Sequence, residues 1–158
     1  MKWLALMLLP GAAFAQDGLV FSPQATEACF AEEGYAEDCI GLSANQCMTD
    51  IVGGESTAGM GGCLDAEWQY WDDRLNAAYG AAMEQAKSMD EDKMDFAPSQ
   101  AEALQAMQRL WIPYRDGQCD YVRSQWGGGT GGGPASLECL MTLTARQALF
   151  LESATQEY

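Results

Sequence analysis

The chain contains no histidine. That removes the side chain whose ordinary pKa lies closest to neutrality, and with it the Ser–His and Cys–His pairings of nucleophilic catalysis. Bases are scarce as well: eight Lys and Arg stand against 23 Asp and Glu, for a formal net charge of −15. Between Gln16 and Asp73 there are twelve acids and no base, and Arg74 is the first basic residue after Lys2. Such a field repels nucleic acid and anionic lipid and attracts cationic proteins or peptides. It also serves simply to keep an exported protein in solution. There is no C-x-x-C pair, so the ligand spacing of common zinc sites is missing and no cofactor or metal is expected.

What is present begins with a leader pattern. Met1-Lys2 precedes the apolar run WLALMLLPGAAF, and Ala13-Phe14-Ala15 offers the small residues that a signal peptidase reads. Cleavage near Ala15 is expected, with residues 1–15 as signal peptide and a periplasmic or secreted product. Pro10 and Gly11 interrupt the run, which is too short to span a bilayer. No cysteine directly follows the expected cleavage site, so no lipid anchor is expected in the mature chain.

All six cysteines lie beyond the leader, at Cys29, Cys39, Cys47, Cys63, Cys119 and Cys139. An even number in an exported chain reads as a disulfide framework, of which six cysteines allow fifteen pairings. Cys119 with Cys139 would close a ring of about twenty residues, worth roughly 3 kcal/mol in the chain-entropy model. Cys29–Cys39 and Cys47–Cys63 are the shortest choices left.

Residues 16–56 form an acidic, cysteine-containing segment with weak periodicity. Pro23 can open a short helix through Glu33, with Gly34 as its stop, and a second short helix is expected from Leu42 to Thr49. The signal strengthens from Thr57, a candidate cap. Leu64, Trp68, Trp71, Leu75, Ala78, Ala82 and Ala86 recur at steps of three and four, an apolar stripe on one helix reaching about Met89. Asp90, Asp92 and Asp95 mimic a calcium loop poorly, because the sixth position lacks Gly and the twelfth, Ala101, is not Glu.

Ser99-Gln100-Ala101-Glu102 is a capping box. Leu104, Met107, Trp111, Tyr114, Gln118 and Tyr121 then keep helical spacing, although Pro113 should kink that helix or begin a new segment. The short connection predicts that this helix folds back antiparallel on the one before. GGGTGGGP, residues 127–134, lacks the lysine of a phosphate loop and reads as a flexible connection. Pro134 opens a last helix whose apolar face is Leu137, Leu140, Met141, Thr144, Ala148 and Leu151. The expected fold is all-α: a small disulfide-linked helical bundle built on a long antiparallel helix pair plus a C-terminal helix.

LWIPYRDGQC, residues 110–119, has the composition of a reactive site, but no base stands ready to activate Cys119, and Cys139 is its natural partner. The expectation is scaffold. Trp71 and Trp111 should pack between the long helices, and Arg115 should bond to Asp72 and Asn76 on the facing helix.

The order Trp71-Asp72-x-x-Leu75-Asn76-x-x-Tyr79, then Gln108-x-x-Trp111-x-x-Tyr114-Arg115-Asp116-x-x-Cys119, then Gly129-Thr130, Cys139, Thr144-x-Arg146 and Leu149, is similar to the LprI-type lysozyme-inhibitor domain of bacterial envelope proteins. The resemblance covers roughly residues 57–152. It implies a small, mainly helical, disulfide-linked exported domain, and lysozyme inhibition by at least some members. The motif residues themselves read as structural. Where lipid-anchored members carry an attachment cysteine, this chain has none, and Pro113 interrupts the second motif.

The function expected is therefore non-catalytic: an exported protein that binds and inhibits a cationic lysozyme. The alternative is an envelope structural or interaction protein that binds another basic protein or peptide. The acid-only stretch from Gln16 to Asp73 is the expected steering surface, and the loops at Gly53–Gly62 and Gly127–Gly133 are the expected approaches to a cleft.

Overall fold

A computed structural model describes residues 19–32 and 35–156. The expected leader, Glu33 and Gly34 lie outside the described residues. The elements are α1 (Gln24–Phe30), a 3₁₀ turn (Ala36–Cys39), α2 (Leu42–Asp50), α3 (Thr57–Glu91), α4 (Gln100–Ser124) and α5 (Gly132–Gln156). Among the described residues there is no strand, and the all-α expectation is borne out.

Three long helices make the body. The Trp68 indole donates to Thr144 Oγ1 at 3.2 Å, and Arg74 pairs with Glu152 further along, so α3 and α5 run parallel at an almost constant offset of 76 to 78 residues. Between them in sequence, α4 runs the other way: Cys119 joins Cys139, and Gln147 Nε2 donates to Gln108 Oε1 at 3.1 Å. The core follows the expected stripes. Leu64, Trp71, Leu75, Ala78 and Ala82 of α3 meet Met141, Ala145, Ala148 and Leu151 of α5, and Ala86 is buried further along the same stripe. The small residues along the later turns of α3 let the helices approach closely.

Caps explain the ends. Ser56, not Thr57, caps α3: its Oγ accepts from Gly59 N at 3.1 Å and donates to Gly53 O at 2.6 Å. Residues 57–62 are thus helix rather than loop, despite three glycines, because the preceding turn lies against them backbone to backbone. A Cβ on Gly54 would sit 1.9 Å from the Met48 carbonyl oxygen, and one on Gly59 would sit 2.3 Å from the Gly53 oxygen. Ser99 caps α4 as expected, accepting from Glu102 N at 3.1 Å. Asp90 adds a second cap, accepting from Ser99 Oγ at 2.5 Å, Gln100 N at 2.8 Å and Ala101 N at 3.1 Å. This carboxylate, which the sequence offers to a calcium loop, is occupied in turning the chain.

Pro113, expected to kink α4 or to begin a new segment, does not begin one: a single helix runs from Gln100 to Ser124 with the proline inside it. The ring stands on the exposed side, while Trp111 and Cys119 on either side of it pack inward. The glycine-rich connection makes a tight turn between α4 and α5. Gly127 and Gly128 take positive φ, and the Trp126 ring folds back so closely on Gly131 that a Cβ there would lie 2.3 Å from it.

Three disulfides join the cysteines in sequence order, Cys29–Cys39, Cys47–Cys63 and Cys119–Cys139. The second ties α2 to the first turns of α3 and the third ties α4 to α5.

Candidate binding surface on the seam of two helices

The largest fully buried polar side chain is that of Glu67, on the core face of α3 between Leu64 and Trp71. Its Oε1 accepts from Gly41 N at 2.8 Å, Thr26 Oγ1 at 3.1 Å and the Trp71 indole at 3.1 Å, and its Oε2 accepts from Ala44 N at 2.6 Å. Gly41 and Ala44 belong to the opening of α2, so one carboxylate satisfies orphan amides at a helix start, where the helix dipole also favours negative charge. Gly41 takes φ of 90°, a conformation glycine adopts readily. Thr26 and Ser43 complete the node: Thr26 N donates to Ser43 Oγ at 3.0 Å and Ser43 N to Thr26 Oγ1 at 3.2 Å. A buried carboxylate is tolerated only when it is bonded on all sides. With four donors around it, Glu67 is a fastener of α1 and α2 onto α3. The sequence reading passed over it, although an acid in an apolar stripe is itself a signal.

A second unforeseen contact is the two-pronged ion pair of Arg74 with Glu152, Nε to Oε1 at 2.6 Å and Nη2 to Oε2 at 2.8 Å. The guanidinium also lies over the Phe30 ring at 4.5 Å. Hydrogen bonding to Glu152 holds the Arg74 pKa above its ordinary value, against the opposing effect of burial.

The motif residues divide by side. Trp71 and Leu75 are in the core, and Tyr79 and Trp111 are packed against it. Gln108 bonds to α5. Asp72 accepts from Asn76 Nδ2 at 3.1 Å on the surface of α3, one turn along the helix. Arg115 does not reach that pair. Its guanidinium lies over the rings of Trp111, at 5.0 Å, and Trp68, at 5.9 Å, and it pairs with its own neighbour Asp116 at 2.8 Å. The facing tryptophans provide a flat cation-binding surface that keeps Arg115 against the helices and away from Asp72.

Tyr114 and Tyr121 lie on the helix that their spacing predicts, but outside the core. They are 62% and 64% exposed, and Leu110 is 74% exposed. Positions 110, 114 and 121 share one flank of α4 by helical periodicity. The residues reaching α5, Gln108 and Cys119, lie on the opposite flank, and the Arg123 side chain also lies beside Gly132 at the start of α5. On the surface of α3, Gln69 donates to Asp65 at 2.6 Å and Asn76 to Asp72. A hollow of about 210 Å³ lies between Trp68, Gln69, Asp72 and Asp73. The outer surface thus carries exposed rings on α4 and a polar strip on α3. Among the described residues, no three His, Cys, Asp or Glu side chains converge as a metal site. No described helix is long and apolar enough to cross a membrane.

This is the architecture of a disulfide-linked helical scaffold whose distinctive chemistry lies on its outer surface. Residues 47–151 match the family model described as "Lysozyme inhibitor LprI", and the chain belongs to that family. The match begins ten residues before the stretch expected from the motifs, and so takes in Cys47, whose partner Cys63 lies in α3. The chain is 26% identical over 122 residues to an uncharacterized 17.7 kDa protein in the puhA 5′ region of Rhodobacter capsulatus, covering 75% of each chain. It is 31% identical over 93 residues to an uncharacterized protein of Rhizobium meliloti (strain 1021), covering 57% of this chain and 67% of the relative. No solved structure matches.

Proposed function

We propose that this protein is exported by a signal peptide cleaved near Ala15 and acts, without catalysis, by binding and inhibiting a cationic lysozyme in the periplasm or outside the cell. The observation that carries the reading is the lysozyme-inhibitor family match over residues 47–151. The charge supports it. Lysozymes are commonly basic, and an excess of acid speeds encounter with a basic partner. In this reading, residues 16–56 are an acidic N-terminal segment fastened to the long-helix body of residues 57–158, with the family match reaching back into that segment as far as Cys47, and Glu67 with the Cys47–Cys63 bond makes the fastening. Inhibition requires only that the partner's cleft be covered, and the motif residues serve to hold the surface that does so.

The test is inhibition of a basic c-type lysozyme by the oxidised mature chain, beside a control protein of equal negative charge, at low and near-physiological salt. Inhibition should exceed the control at both salt concentrations, and its onset should slow as salt rises, because screening shortens the reach of the field to about 8 Å at physiological ionic strength. Inhibition no greater than the control's, on c-type, g-type and invertebrate-type lysozymes alike, would overturn the reading. It would favour an envelope protein binding another basic partner.

A further inference from the structure

We propose that the protein forms a two-fold dimer through the outer face of α4, which lies antiparallel against the same face of a second copy. The inference stands apart from the inhibitor reading above.

A surface helix ordinarily has one apolar face, but α4 has two. On its inward face Trp111 packs against the core and Cys119 is bonded to α5. On the opposite face Ala103, Ala106, Leu110, Pro113 and Gly117 follow one another at steps of three and four, and all are exposed. Tyr114 and Tyr121, 62% and 64% exposed, flank that stripe. Such spacing on an outward face is the seam of paired helices. Its small residues let a second backbone come close, and a Cβ on Gly117 would meet nothing within 4 Å, so the space beside it is open. Tyrosine suits a seam edge, because its ring gives contact area while its hydroxyl stays wet.

Charge selects the partner. Glu102, Arg109, Asp116 and Arg123 stand at intervals of seven residues along one edge of the stripe, all exposed, and they alternate in sign. Their charges cancel, on a chain whose formal net charge is −15. This edge therefore has nothing particular to offer a basic partner, but read in reverse it is its own complement. With the two-fold axis between residues 112 and 113, Arg109 faces Asp116 of the second copy and Glu102 faces its Arg123, which makes four ion pairs over about 32 Å of helix. Asp116 gives Oδ1 to Arg115 and leaves Oδ2 for this contact. The same register brings Leu110 beside Pro113 and Ala106 beside Gly117 of the second copy. Asp120 falls beside Ala103 at the rim, one turn from Arg123 on its own helix. A slip of seven residues would set like charges opposite. Exposed ion pairs contribute little affinity, so the ladder sets orientation and register while burial of Leu110, Tyr114 and Tyr121 drives association. The high net charge opposes self-association, and α4, with three acids and three bases, is where two copies meet without it.

The experiment is sedimentation equilibrium of the oxidised mature chain. The natural sequence should pass from monomer to dimer, and no further, as concentration rises from micromolar to millimolar. Three variants test the surface, each first checked for natural helical content by circular dichroism: Arg109→Glu, Asp116→Arg and Leu110→Asp. Each alone should weaken association about tenfold or more, because either charge reversal sets two like pairs across the axis and Leu110→Asp puts charge at the seam. An equimolar mixture of Arg109→Glu and Asp116→Arg should associate as tightly as the natural sequence, since all four pairs between the two chains are again opposite. A helix that was merely damaged would show no such recovery. If Asp116→Arg unfolds through loss of its bond to Arg115, Arg109→Glu and Leu110→Asp still decide the surface. A natural sequence that stays monomeric at millimolar concentration would overturn the proposal. So would a dimer that Arg109→Glu and Leu110→Asp leave intact, or a mixture of two folded charge variants that does not associate.

Discussion

Glu67 shows how much one side chain determines here. Its carboxylate is fully buried and holds four donors from three parts of the chain. Glu67→Gln preserves size but sets an amide donor against a backbone N–H or the indole. It should lower unfolding free energy by roughly 1–3 kcal/mol, measured by urea denaturation of the oxidised protein. A loss no larger than that of an average surface change, about 0.5 kcal/mol, would show that the node is dispensable. Asp90 gives a different test. The Ser99 hydroxyl, then the Gln100 and Ala101 amides and the Lys93 charge, hold its carboxyl below the usual carboxylate range, against an opposing desolvation effect. A lowered folded-state pKa means that the bonds stabilise the fold above the ordinary carboxylate pKa and are lost as pH falls through the lowered value. The melting temperature of Asp90→Asn should therefore lie below that of the natural sequence at neutral pH and converge on it in strong acid. Parallel curves at all pH values would contradict this.

Among the helices, α4 is the least self-sufficient. It carries Pro113 in its interior, which removes a backbone donor and crowds the preceding turn, yet it continues without a break. Tertiary contacts hold it: the Cys119–Cys139 bond, the Gln108–Gln147 hydrogen bond and the stacking of Arg115 on Trp111 and Trp68. Pro113→Ala should raise stability by roughly 1–2 kcal/mol, because the gain in helix propensity exceeds the greater freedom of the unfolded chain. A rise in melting temperature checks it. A fall would mean that the proline sets a bend which α4 needs in order to reach both neighbours.

The whole molecule is a thin core reinforced by crosslinks. Much of the contact between α3 and α5 is made by alanine, and apart from Trp71, Met141 and a few leucines the buried side chains are small or polar. The disulfides close rings with sequence separations of 10, 16 and 20 residues, and each contributes about 3 kcal/mol in the chain-entropy model. That is comparable with much of the stability of an ordinary small domain, about 5–15 kcal/mol. Reduction should therefore abolish the cooperative thermal transition at neutral pH and most of the far-ultraviolet helical signal at 37 °C. A reduced chain that still melts cooperatively above that temperature would show that packing alone suffices.

The long helices were legible in the sequence because an apolar period of three and four residues is a local property. Leu64 to Ala86 and Leu137 to Leu151 needed no partner to be recognised, and the Ser99 cap needed only its neighbours. The family was legible for the same reason, through spacings within single helices. Side-chain partnership was not. Arg115 had carboxylates and tryptophans within plausible reach, and only the packed arrangement of α3 and α4 placed it over the rings of Trp68 and Trp111. Tyr114 and Tyr121 kept helical spacing with Trp111 yet face outward, because the position of α5 fixed which arc of α4 is covered. Glu67 meets Gly41 and Ala44 across 26 and 23 residues of sequence. Periodicity fixes a helix and its faces; which face meets which neighbour, and so which residues are left for a partner, is decided only when the helices pack.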